Sequence, residues 1–520
     1  MNDAKTYRPL YESVRYRAQD GSWHRHFNEA ANCSDGPLTW DTAAILSVIS
    51  FNYACGDRTL LSQIRRQPWM SSIGAGGEPE LRPIPPHDTL AGSCDRMVSD
   101  FGRLVQEEIV GACRGRKRIY LTLSGGLDSR VVAGLAARAA NAGEIDGQLI
   151  AVTWGLPDSR DVVYGKAVAD ILGIEWIYVD YKPEHVLRNV ELAPIHIACL
   201  VPPTHLHRMP WFEQVPADSL VLAGSYGDML GRAEFSGKHV LELSHLRPAD
   251  TYGLLRPEIL HGALQSLGSD LKALHDRTPG APRYVLCEHE MHAFYTRGML
   301  AQVMNLVNDY CDLYQVFTAP RVYSYVWSLH PSLRTDAIYA GVLEKLDPRL
   351  ARLPWARTNR ALAGRTEGAV RGLRSTCHRA REWIVGPLYD KLLHDLDIAW
   401  FRESRIFQVE NIQRLCEKIR HNTIGSGSYD KFIWLVSLRR FAGQLADMGK
   451  TVELDSADIL ERAAGVGAAQ KNRSTSSFRL WLSNSFLHKA TRGARIKTRR
   501  YRLRRRALKE FPLKVSEEQE

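Results

Sequence analysis

The chain has 520 residues, 44% of them hydrophobic and 24% charged, a balance that excludes disorder as the main state, a fibre or a bundle of membrane spans. Its formal charge is +10, but eleven Lys and Arg fall within 489–509 with no acid among them, so the body is near neutral and the basic character belongs to a tail. Nine Cys are scattered without a CxxC pair, which points to reduced buried thiols in a cytoplasmic protein and away from a disulfide framework or zinc ribbon. Residues 1–17 are polar and lack the apolar core of a secretion signal. The longest apolar stretch, 43–55, falls short of the roughly 20 residues that span a bilayer.

Taken in order, residues 1–95 mix short apolar runs with Gly and Pro clusters, among them Gly74, Gly76 and Gly77 and then Pro83, Pro85 and Pro86. They predict a small β-rich region closed by a linker. From 96 to about 240, β-rich runs alternate with helical periods, the order of right-handed βαβ units and a parallel sheet, with the sheet core at about 115–240. From about 250 to 445 the periodicity is helical, as through 299–307, and predicts a helical layer on the sheet. An amphipathic helix is expected at 429–445. Residues 446–520 form a helical or flexible extension ending in the basic tail. The fold class is therefore α/β.

The most informative stretch runs from Arg118 to Leu135. A β-branched and aromatic run ends in Leu123-Ser124-Gly125-Gly126-Leu127-Asp128-Ser129, and an Ala-rich helical pattern follows at once. Two glycines where a strand turns into a helix let backbone N–H groups approach a phosphate, and the helix start adds partial positive charge. Ser124 and Ser129 supply hydroxyl donors. Asp128 repels a bare phosphate, so it calls for a cation between them, and Mg²⁺ is the expected bridge. Further strands are predicted at 148–154, including Val152 and Thr153, at 175–179 and at 220–223. A helix is expected to start at Asp161. The last strand leads into Gly224-Ser225-Tyr226-Gly227-Asp228-Met229.

The stretch 123–129 resembles the SGGxDS signature of the PP-loop ATP pyrophosphatases, and its form LSGGLDS is most similar to the asparagine synthetase family. The resemblance implies a parallel-sheet PP-loop domain of the adenine nucleotide alpha-hydrolase-like kind, with a helical carboxyl-terminal layer. It implies ATP and Mg²⁺ as cofactors. Leu123 to Ser129 would hold the nucleotide, the backbone of Val152 and Thr153 would read the base, and Asp128 with Asp228 would hold metal. Tyr226 resembles a tyrosine near the second Asp in the β-lactam-forming branch, with proton transfer as its implied role. The segment 353–360 resembles the one that carries a family Lys beside pyrophosphate, so Arg357 and Arg360 are the candidates for that charge.

The sequence also departs from the family. Met229 stands where the second motif has Glu, no Lys occurs in 353–360, and Asn2 stands where full members place a Cys. The piece from Gly56 to Leu61 looks like the end of the family's glutaminase domain, and the amino-terminal region is read as a truncated remnant of it. The resemblance then implies an AMP-forming amide ligase that adenylates a small-molecule, glycan or peptide carboxylate. Its nitrogen would come from free ammonia, a separate ammonia source or an amine. His205 and His207 lie where an acceptor pocket can form, as a metal pair without a third ligand or as satisfied loop histidines. The rival readings are a PP-loop enzyme acting on tRNA, disfavoured by the missing CxxC, and a degenerate nucleotide-binding relative. The tail is expected to meet an anionic membrane surface, with nucleic acid the lesser candidate.

Overall fold

The computed structural model describes residues 15–87, 90–362, 364, 366–423, 425 and 427–454. The tail at 489–509 and position 2 lie outside them. Five parallel strands form the central sheet: β1 (Arg118–Thr122), β2 (Gln148–Gly155), β3 (Glu175–Asp180), β4 (Leu220–Ala223) and β5 (Asp312–Gln315), in the order β5-β4-β1-β2-β3. The middle strand β1 is buried from Ile119 to Leu121, as helices on both faces of a parallel sheet require. Thr122 pairs with both Val152 and Ala223, so β1, β2 and β4 are in register at their carboxyl ends.

Helix α2 (Cys94–Cys113) leads into β1, α3 (Leu127–Asn141) joins β1 to β2, α4 (Arg160–Leu172) joins β2 to β3, and α5 (Pro183–Ile197) follows β3. The helix joining β2 to β3 opens one residue earlier than expected, at Arg160, because Ser159 caps it by accepting from the Val162 N–H at 3.4 Å. The helical layer comprises α6 (Pro257–Asp276), α7 (Arg283–Glu290), a π-helical segment Met291–Ala301 that continues α7, α8 (Gln302–Asn308), α9 (Asp336–Leu346) and, after several shorter helices, α10 (Ser428–Asp447). In place of an amphipathic surface helix, α10 is buried on every side from Phe432 to Leu438, and its Trp434 indole donates to the Cys199 carbonyl at 2.8 Å.

The amino-terminal segment carries the expected short strands and adds a helix. Its strands are only two or three residues long, and the apolar stretch 43–55 contains a helix, α1 (Thr42–Phe51). Asp41 starts it by accepting from the Ala44 N–H at 2.9 Å, and Asn52 ends it in the left-handed region at φ 70°. Thr42 to Ile49 are all buried, so no polar face marks the helix in the sequence. One contiguous apolar core runs from Tyr16 to Leu445, so this segment packs as part of the body. Arg58, in the stretch that looks like a glutaminase end, ties it there through Asp41 at 2.8 Å and Asp270 of α6 at 2.6 Å.

Arg130 positions the loop after β1. It is fully buried on the first turn of α3, and its guanidinium donates to the carbonyls of Leu350, Leu353, Pro354 and Gly125 at 2.8–3.1 Å. Its charge is met by carbonyl dipoles, and burial lowers its pKa to about 10. The Ala356 N–H also donates to the Gly125 carbonyl at 3.0 Å, which brings the segment 353–356 against the loop. Replacing Arg130 by Met strips four buried carbonyls of a donor. We expect a stability loss of about 2–4 kcal/mol, read as a lower denaturant midpoint at unchanged slope.

Candidate active site

The strand order reverses beside β1. The chain moves outward through β2 and β3, then crosses back to place β4 on the other side of β1. The carboxyl ends of β1 and β4 therefore meet at a topological switch point, the usual ligand position in an open parallel sheet. A cavity of about 360 Å³ opens there, within the range of small-molecule sites. Its wall includes Ser124, Gly126, Asp128, Ser129, Trp154, Asp161 and Ser225, together with His205, His207 and Cys377. Met299 and Leu300 of the π-helical segment supply apolar wall.

The loop after β1 is held by its own hydroxyls. Ser129 Oγ accepts from the Ser124 N–H at 3.2 Å, and Ser124 Oγ accepts from the Gly126 N–H at 3.1 Å. The Gly125 N–H donates to the Asp161 carbonyl at 3.1 Å. A side chain at Gly125 would meet Ala356 Cβ at 2.8 Å and the Arg160 carbonyl at 2.9 Å, so glycine is needed for packing. The Gly126 position meets only the Ser124 and Ser129 hydroxyl oxygens, the nearer at 3.0 Å, and Gly126 lines the cavity.

The loop after β4 lies directly on this one. A Cβ at Gly224 would fall 2.8 Å from the Ser129 nitrogen, and one at Gly227 would fall 2.6 Å from Asp128 Oδ1. The two glycines thus bring Asp228 beside Asp128. Burial first, and then repulsion from Asp128, raises the Asp228 pKa to about 7, opposed by the nearby Arg232. Met229, at the family's Glu position, is buried, and its sulfur accepts from the Thr296 hydroxyl at 3.1 Å. It belongs to the interior and does not line the cavity.

Sequence reasoning missed Arg232. Four residues after Asp228, it is 4% exposed and reaches Asp128 at 3.0 Å and Asp336 at 3.2 Å, with Glu234 at 3.9 Å. Arg357 pairs with Glu234 at 2.6 Å, and both guanidinium carbons stand 5.3 Å from the centre of the Trp355 ring. Four carboxylates gather round two arginines, leaving an excess of negative charge. A pair of carboxylates with that excess, both resisting ionisation through burial, fits a hard divalent cation.

The remaining expected residues divide. Leu123 lines the cavity, whereas Leu127 is buried in the core. Val152 and Thr153 lie within β2 behind the wall: the Val152 carbonyl accepts from the Leu123 N–H at 2.9 Å, and Thr153 Oγ1 accepts from the Trp176 indole at 3.1 Å. Trp154 is the β2 residue that reaches the cavity. Tyr226 is buried in the left-handed region at φ 75°, outside the wall. Arg357 is partly exposed at the acidic cluster, and Arg360 is exposed, with only main-chain hydrogen bonds among the described residues. His205 and His207 line the cavity, and burial lowers His207 to a pKa of about 3. The further donors that the sequence left missing beside His207 are Cys377 and His378, whose ligand atoms lie within 4.8 Å of it and of each other.

Residues 101–211 match the family model of asparagine synthase. The chain carries an asparagine synthase-family domain. An ATP-dependent ligase of the amide-forming kind is the general activity that goes with this domain. The match spans β1 to β3 and the loop after β1, and ends before β4 and Asp228. No curated protein matches the chain. Among the described residues, no helix is long and apolar enough to cross a membrane.

The raised Asp228 pKa gives a signed expectation. Its carboxyl holds a proton in the folded chain between pH 3.8 and about 7, where the unfolded chain has released it. Stability from this group therefore falls as pH rises through that window. Without divalent metal, Asp228→Asn should melt above the parent at pH 8, with the difference shrinking towards pH 4. A difference that grows as pH falls would contradict the assignment.

Proposed function

We propose that the protein is an AMP-forming amide ligase, in which ATP occupies the cavity at the carboxyl ends of β1 and β4. The observation that carries this reading is the stacking of the loop after β4 on the LSGGLDS loop, which brings Asp228 to Asp128 beside a cavity of about 360 Å³. Asp128 and Asp228 would hold Mg²⁺, whose chemistry is to neutralise phosphate charge. The Gly126 end of α3 and the Ser124 and Ser129 hydroxyls bind and orient the phosphates. A substrate carboxylate attacks the α-phosphorus and pyrophosphate leaves. Ammonia or an amine then displaces AMP from the acyl-adenylate. Stabilising the charge that builds on pyrophosphate is the chain's largest contribution, and Arg357, over Trp355 and partly exposed, supplies the nearby cation in place of the family's Lys. Arg360, exposed on the same segment, is the second candidate, and Tyr226 is the proposed proton-transfer group.

The carboxylate is proposed to be a glycan or natural-product acid, because the sequence departs from the family at Asn2, at Met229 and in 353–360. A second reading has its own support. Arg232 already neutralises Asp128, which suits a relative that binds nucleotide without turnover. Mg²⁺-dependent exchange of pyrophosphate into ATP, across aspartate, uronic acids and lipid-linked sugar acids, separates the two. We expect exchange with one acid class and its loss by about 100-fold or more in Asp128→Ala. Nucleotide binding without exchange on any acid would favour the second reading.

The basic stretch 489–509 is proposed to hold the enzyme at an anionic membrane surface. A chain cut at about 485 should lose co-sedimentation with phosphatidylserine vesicles at low salt. Equal sedimentation of cut and full chains would rule that out.

A further inference from the structure

A second group of metal-type donors lies away from Asp128 and Asp228. Cys287 and Glu290 are three residues apart on α7 and so share a face. Glu290 is buried, and its two oxygens have separate partners. Oε2 accepts from the Leu246 N–H at 2.7 Å, which fixes the carboxylate. Oε1 lies 2.5 Å from His245 Nδ1 and 2.7 Å from His275 Nε2. Cys287 Sγ lies 3.8 Å from the same His245 nitrogen. The ligand atoms of His245, His275 and Glu290 all fall within 4.8 Å of one another.

Two imidazoles converging on one carboxylate oxygen, with a thiol alongside, use that oxygen twice and leave the sulfur only long contacts. A cation among the three would engage both imidazoles and the carboxylate at once, and the Cys287 sulfur, outside that set but 3.8 Å from His245 Nδ1, would turn in as the fourth ligand. Two imidazole nitrogens, one carboxylate oxygen and one thiolate are the donor types of tetrahedral Zn²⁺, whereas Mg²⁺ and Ca²⁺ take oxygen. The Leu246 N–H on the outer carboxylate oxygen is the supporting contact that such ligands need. We propose that His245, His275, Glu290 and Cys287 form a binding site for Zn²⁺ or a closely similar cation. Binding releases the thiol proton, and each ligating imidazole carries its one proton on the outer nitrogen.

The site joins three segments: the loop at 243–246, the last turn of α6 and α7. Glu290 is the last residue of α7, where the helix passes into the π-helical segment that carries Met299 and Leu300 to the cavity wall. The ion would pin that junction. It is a structural site with four protein ligands, and it does not depend on the adenylation reading.

The test uses the full chain without a histidine tag, purified without chelator, and reads metal content and the Co²⁺-substituted spectrum in the absence of nucleotide. We expect about one Zn²⁺ per chain and a thiolate-to-cobalt charge-transfer band. That band should persist in Cys377→Ser and vanish in Cys287→Ser. Glu290→Gln and His275→Ala should weaken Zn²⁺ affinity about tenfold or more. Glu290→Gln preserves side-chain shape, so it reports on ligation even if His275→Ala does not fold. Absence of Zn²⁺ binding by the parent chain would overturn the proposal. So would metal and band that survive Cys287→Ser but are lost in Cys377→Ser or His207→Ala, since these place the ion at the cavity cluster.

Discussion

The candidate site depends on one close approach, the seating of the loop after β4 on the loop after β1. Gly224 and Gly227 permit it, because any side chain at either position would overlap the backbone of Asp128 and Ser129 or the Asp128 carboxylate. Parallel pairing of β4 with β1 sets the level at which the two loops leave the sheet. From that contact follow the crevice, the neighbouring carboxylates and the position of Arg232. Tyr339 secures the arrangement from behind, donating from its hydroxyl to the Gly227 carbonyl at 2.8 Å.

The electrostatics of the site follow from that proximity. Two carboxylates forced together in a partly desolvated crevice cannot both ionise freely, and the chain answers with a buried arginine. Arg232 serves Asp128 directly and lies near Asp228, while Glu234 and Asp336 divide the rest of its charge. Met229 fits the same logic. Its side chain faces Thr296 in the interior, where a further carboxylate would add negative charge to a region already short of positive charge. A Glu at this position would therefore face the core unless the short helical turn at Gly227–Leu230 moved.

Local signals revealed much of this in the chain itself. The alternation of β-rich runs and helical periods gave the parallel sheet, and the strand, Gly-Gly and Ala-rich helix gave the loop after β1. What stayed hidden had no local signature. Helix α1 is buried on all sides, so its apolar run reads equally as a strand. The π-helical segment reads as ordinary helix in the sequence. Arg130 reads as a surface arginine on an Ala-rich helix, until the segment 350–356 folds over it and supplies four carbonyls. Arg232 sits one turn beyond Asp228, a spacing visible in the sequence but without meaning before Asp128 is brought to it.

The sequence by itself therefore determined strands β1 to β4 of the sheet and the glycine turn after β1, because each depends on residues within a few positions of one another. Only the tertiary structure decided which groups meet. The crossover after β3 puts β4 beside β1, and α7 draws Glu290 to histidines 15 and 45 residues away in the chain. Contacts of that kind depend on the packing of whole elements, and no local pattern encodes them.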